Sequence, residues 1–81
     1  MENHLTTDIG LATFLIVKGF EMVEIQNSSG RKTFVFENSP QLKGIIEAFN
    51  FGKKGVSEVM IDAREMLRVF RELKIKIHNL V

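Results

Sequence analysis

The sequence predicts an α+β domain in the order helix, β-hairpin, helix, long helix (αββαα), with the helices packed on one face of the hairpin. Three observations predict it. Glu21 to Gln26 alternates with period two, and a Thr33-Phe34-Val35-Phe36 run follows after Asn27-Ser28-Ser29-Gly30. Leu11–Lys18 and Leu42–Phe49 repeat apolar residues at helical spacing. From Val59 onward, Ala63, Met66, Phe70, Leu73, Ile77 and Leu80 follow in steps of four and three, an unbroken heptad seam.

The chain of 81 residues is read as a single domain. A hydrophobic fraction of 44% can fill a core. A domain this small still exposes much of its surface, and with no cysteine it has no disulfide or thiolate–metal staple. Extra stability must come from tight helix packing or from self-association, and a homodimer is expected. The net charge of +1 does not by itself select nucleic acid or acidic membranes. Its distribution is uneven. Residues 1–30 carry one lysine against four carboxylates, and residues 31–81 carry ten cations against six.

The polar stretch Met1–Thr6 is expected to fray. Thr7 or Asp8 can cap the first helix, because a short side-chain oxygen accepts a free backbone N–H there. That helix should run from Ile9 to Lys18 and stop at Gly19, a residue at ease in the left-handed conformation. Phe14-Leu15-Ile16-Val17 is apolar on nearly every side, so the helix should be buried on more than one side. This run is too short to cross a bilayer, and it has neither a basic leader nor a cleavage pattern. A cytoplasmic protein without a membrane partner is expected.

In the hairpin, Phe34 and Phe36 should meet Val23 and Ile25 on the core side, with Thr33 and Val35 turned away. Ser39 should cap the next helix, with Pro40 at its first position, where a missing N–H costs nothing. Leu42, Ile45, Ile46 and Phe49 give that helix one apolar face, and Asn50 and Gly52 end it. Ser57 can cap the final helix, expected over residues 57–79. Acids lead it (Glu58, Asp62, Glu65) and bases close it (Arg68, Arg71, Lys74, Lys76), as the helix dipole favours.

No pattern in the chain carries chemistry. Glu58, Asp62 and Glu65 share a helical face, but the dipole explains them and no metal site is expected. His4 and His78 have no second ligand at metal spacing. No serine sits in a recognisable nucleophile elbow. Gly52 and Gly55 bracket Lys53-Lys54 without the spacing of a phosphate loop. No enzyme activity, cofactor or small-molecule substrate is expected. The candidate contacts to nucleic acid or a partner are Arg31, Lys32, Lys53, Lys54, Arg64, Arg68 and Arg71. Local pairing competes for the helical ones, because Glu65, Arg68, Glu72 and Lys76 lie three or four residues apart. Candidate dimer contacts are Phe70, Leu73, Ile77 and Leu80, towards the end of the seam. The seam is too short for a coiled coil by default, and Met60, Leu67 and Val69 widen it.

Two resemblances add to these readings. Thr6-Thr7-Asp8, Leu11-Ala12, Phe14-Leu15, Lys18-Gly19-Phe20, Gly30-Arg31-Lys32, Thr33-Phe34-Val35-Phe36, Glu47-Ala48-Phe49-Asn50 and Leu73-Lys74 occur in this order along most of the chain. Together they resemble a bacterial and phage-associated family of small domains of unknown function. The resemblance implies a fold and a phage or mobile-element origin, and no catalytic residues. Residues 31–81 also resemble ribbon-helix-helix proteins, through the element order and through Pro40-Gln41-Leu42 and Gly55-Val56-Ser57-Glu58 at the helix starts. That resemblance implies a DNA-binding dimer whose strands, here residues 31–37, pair across two chains. The two readings, interaction module and DNA-binding regulator, stand side by side at this point.

Overall fold

The computed structural model describes residues 3–52 and 59–80. Their order is β1 (His4–Thr6), α1 (Ile9–Val17), β2 (Met22–Ser28), β3 (Arg31–Phe36), α2 (Leu42–Phe51) and α3 (Ala63–His78). The α+β class and the sequence of hairpin and three helices agree with expectation. The addition is β1. The strands form one antiparallel sheet in the order β1-β3-β2, and α1 connects its two edges.

Alpha1 starts on Asp8, whose carboxylate accepts from the Gly10 and Leu11 amides at 2.8 and 3.2 Å. It stops at Gly19, with φ at +96°. There the Gly19 amide donates to the Ile16 carbonyl and the Phe20 amide to the Leu15 carbonyl, which satisfies two orphan acceptors of the last turn. Leu11 to Leu15 are all buried, so the helix is enclosed on several sides, as its composition predicts. Thr13, the polar member of that run, donates its hydroxyl to the Ile9 carbonyl at 2.7 Å.

The hairpin turns on Ser29 and Gly30, both at positive φ (53° and 82°). A two-residue loop with this backbone matches the natural twist of the flanking strands. Phe34 and Phe36 join Leu11, Ala12, Phe14, Leu15, Leu42 and Leu73 in one core. Their partners across the ladder are Ile25 and Met22, not Ile25 and Val23. A bulge lies between Met22 and Glu24, and it makes Val23 the extra residue. Strict alternation fails there: Met22 and Ile25 reach the core, and Val23 is 52% exposed.

Val35 corrects a second expectation. It points away from the Phe34 and Phe36 face, yet it is only 2% exposed. It lies in the central strand, flanked by Leu5 of β1 and Glu24 of β2. A hairpin alone would have left one of those flanks open. Beta1 closes it, and His4–Thr6, expected to fray, is the reason.

Alpha2 begins later than the cap signal suggests. The residue before its first turn is Gln41, which makes no side-chain cap. Ser39 accepts from the Leu42 amide through its carbonyl at 3.2 Å, so Ser39-Pro40-Gln41-Leu42 is a turn leading into the helix. The Ser39 hydroxyl is buried without a hydrogen-bond partner. Leu42 and Phe49 fix α2 to the core; the Phe49 ring lies 4.8 Å from that of Phe14.

Alpha3 is capped by Asp62, which accepts from the Arg64 and Glu65 amides at 2.8 and 3.2 Å. The expected start, Ser57, lies outside the described residues, but Val59 to Ile61 precede the helix and Asp62 takes the cap. Replacing Asp62 by alanine is expected to cost about 0.5–2 kcal/mol, visible as a lower urea midpoint with an unchanged slope. The inward stripe of α3 is Met66, Val69, Leu73 and Ile77. Ala63 of the seam is exposed and Val69 is buried in its place. A helix of 3.6 residues per turn drifts off a 3.5-residue repeat, and packing against one globular core does not supercoil it back.

Candidate interaction surfaces

The candidate cations do not form one patch. Arg31 and Lys32 face Ser28 and Asn27 across the hairpin end. The Asn27 Nδ2 donates to the Leu80 carbonyl at 3.1 Å, which places this end of the hairpin beside the end of α3. Arg64 is the second residue of the same helix. At 1.5 Å per residue, the length of α3 puts about 20 Å between Arg64 and the hairpin turn. Lys53 and Lys54 lie outside the described residues.

Arg68 is occupied. It sits between Glu65 and Glu72 on the exposed side of α3 and is paired to both. The Arg68 guanidinium, chiefly through its hydrogen bond, holds the Glu65 carboxyl below the ordinary carboxylate range, and Glu65 in turn raises Arg68. A lowered folded-state pKa stabilises the fold above the unfolded carboxylate value, and the contribution is lost as pH falls through the folded value. The pair is exposed, so the effect on stability is small. Arg68→Gln is expected to move the Glu65 titration midpoint upward, readable by carboxyl-carbon NMR.

The acidic face of the sequence resolves into structural roles. Asp62 caps α3 and Glu65 pairs with Arg68, while Glu58 lies outside the described residues. No group of three metal-ligating side chains comes together among the described residues. His78 is exposed near the end of α3. His4 lines a groove of about 650 Å³ between β1 and α2, together with Ser39, Pro40, Lys43, Glu47 and Phe51. No helix of the described residues is long and apolar enough to cross a membrane.

The candidate dimer contacts also separate. Leu73 is 2% exposed and Ile77 packs on the same core, so both are committed within the chain. Phe70 is half-buried, with the Lys74 ammonium 5.7 Å from its ring centre. Leu80 is half-buried beside β2 and lines a second groove, of about 390 Å³, with Met22, Val23, Ile25, Lys76 and Asn79.

Other apolar side chains were not among the candidate contacts read from the sequence. Leu5, Val23, Phe51, Met60, Leu67 and Ile75 are all more than half exposed, Phe51 at 83%. Phe51 was legible as an apolar residue next to a glycine. Ile75 interrupts the charged face of α3, and that interruption was its signal. Val23 could not be found without the bulge.

The model of a domain of unknown function, DUF5659, matches residues 1–77, and the chain belongs to that family. Neither a curated protein nor a solved structure matches it significantly.

Proposed function

We propose that this member of the family is a small non-enzymatic interaction module that acts as a homodimer in the cytoplasm. The observation that carries the reading is the set of large apolar side chains left in solvent on every layer of the domain, from Leu5 and Val23 on the sheet to Leu67 and Ile75 on α3. Single exposed leucines are ordinary, but six large apolar groups among the described residues leave much surface for a partner to cover. Many of the polar side chains that might do chemistry have structural work instead. Asp8 and Asp62 cap helices, Thr13 and Asn27 bind carbonyls, and Arg68 joins two carboxylates. A phage or mobile-element origin belongs to the same reading and is tested by the genes beside it. Sedimentation velocity at micromolar concentration tests the self-association. A dimer whose population grows with concentration is expected, and a strict monomer counts against the proposal.

A DNA-binding regulator is the second reading. In its favour, Arg64 and Arg71 are exposed on α3 and form no ion pair among the described residues. Its ribbon-helix-helix form loses its basis, because β3 is paired on both edges within the chain. A mobility shift that weakens from low to moderate salt, and weakens further in Arg64→Gln/Arg71→Gln, would favour this reading. No shift at low salt excludes it.

A further inference from the structure

We infer that two copies join through the free edge of β2, Gln26 against Gln26, making one six-stranded antiparallel sheet. This rests on the homodimer reading above and supplies its geometry. Beta2 is an edge strand of seven residues, Met22–Ser28, against three in β1 at the other edge. Natural edges are blunted by shortness, lysine, proline or bulges. Beta1 is short. Beta2 is blunted only at its start, by the bulge at Val23. From Glu24 to Ser28 it contains no lysine and no proline, and Glu24 is its sole charge.

The hairpin fixes which backbone groups are available. With a two-residue loop, Ser28 and Arg31 form a hydrogen-bonded pair. Antiparallel alternation then makes Gln26–Thr33 a bonded pair, and Asn27–Lys32 and Ile25–Phe34 non-bonded pairs. The N–H and C=O groups of Ile25 and Asn27 therefore point out of the sheet edge. A twofold axis at Gln26 sets Ile25 of each copy against Asn27 of the other. All four outward groups of each strand find partners in that register. Centring on Ile25 would instead bring the bulged Val23 into the ladder.

The remaining contacts agree with this register. Within the ladder no like charges face each other, because Glu24 lies opposite Ser28, and the groove beside it carries one acid, Glu24, and one base, Lys76. The acidic start of each hairpin, Glu21 and Glu24, runs towards the basic turn of the other, with Arg31 and Lys32. On the helix side, the groove of about 390 Å³ along this edge is lined by Ile25 and Leu80. The axis brings the second copy's Ile25 and Leu80 to that groove, so both become covered.

The absence of cysteine makes the test direct. A non-bonded antiparallel pair lies at a spacing a disulfide can bridge, so Gln26→Cys should give a disulfide-linked dimer under mild oxidation, and Leu67→Cys on α3 should not. Asn27→Pro removes one outward N–H, twice per dimer, and leaves the intrachain ladder intact. It should raise the dimer dissociation constant about tenfold or more. Circular dichroism shows whether it is folded, and Asn27→Ala, which loses only the bond to Leu80, should dimerise as before. A second readout needs no variant: the Ile25 and Asn27 amides should exchange more slowly as concentration rises. A dimer that links through Leu67→Cys and not Gln26→Cys, with Ile25 and Asn27 exchanging equally fast at all concentrations, overturns the edge contact and leaves self-association standing. A natural chain that stays monomeric overturns both.

Discussion

Replacing Phe14 by alanine is expected to cost about 3–5 kcal/mol, the range for a buried phenylalanine in a core that cannot collapse around the gap. A chain of 81 residues at typical specific stability has about 4–12 kcal/mol in total, so the variant stands at the edge of unfolding. The effect should be concentrated in α2. Phe14 is 2% exposed, and its ring meets that of Phe49, one of the α2 side chains, with Leu42, Ile45 and Ile46, that pack on the core. The Lys18 ammonium lies 5.7 Å from the centre of the same ring and would lose that contact while keeping its bond to the Met60 carbonyl at 3.0 Å. Urea denaturation followed by circular dichroism gives the total. Amide exchange should show residues 42–51 losing protection before the hairpin does. Equal loss across the hairpin and α2 would mean that Phe14 acts on the core as a whole and has no special hold on α2.

Leu73→Ala carries the second large effect, about 2–5 kcal/mol. Its value lies in the contrast with Leu67→Ala, expected within about 0.5 kcal/mol of the natural chain because Leu67 is exposed. Both leucines sit on α3. If Leu73 were chiefly a contact between chains, its alanine variant would be a well-folded monomer with an unchanged denaturation midpoint at low concentration. If it belongs to the core, the midpoint falls at every concentration. Equilibrium unfolding at two protein concentrations separates the two outcomes.

Much of this arrangement was legible in the sequence, and the failures share a physical origin. Alpha1 declared itself at both ends, through Asp8 and Gly19, because caps are local chemistry. The hairpin declared itself through Asn27-Ser28-Ser29-Gly30. Beta1 did not, because three residues, His4-Leu5-Thr6, are too few to show a period and gain their order from Phe34–Phe36 on a strand thirty residues away. The bulge at Val23 was hidden for a related reason. An inserted residue shifts the register without altering the composition of the strand. On α3 the seam held as spacing only from Ala63 to Ile77, with Val59 and Leu80 outside the helix, and its interpretation depended on what the helix touched. Packing in the core of the same chain, where α3 meets α1, claimed Leu73. The cations showed the same limit, since sequence lists them and only the fold reveals that Arg31 and Arg64 lie at opposite ends of α3.

The three residues of β1 also act as a guard. Phe34-Val35-Phe36 is an uncharged, β-prone run, and among the described residues its edge opposite β2 is covered by His4-Leu5-Thr6. During folding the hairpin can close early, since its contacts are local, while β1 must return across the whole of α1. Until it does, that run presents an open ladder of the kind that recruits other chains into amyloid. Late docking of β1 would then leave the central strand open on that side. Pro in place of Leu5, opposite Val35, is expected to weaken that cover.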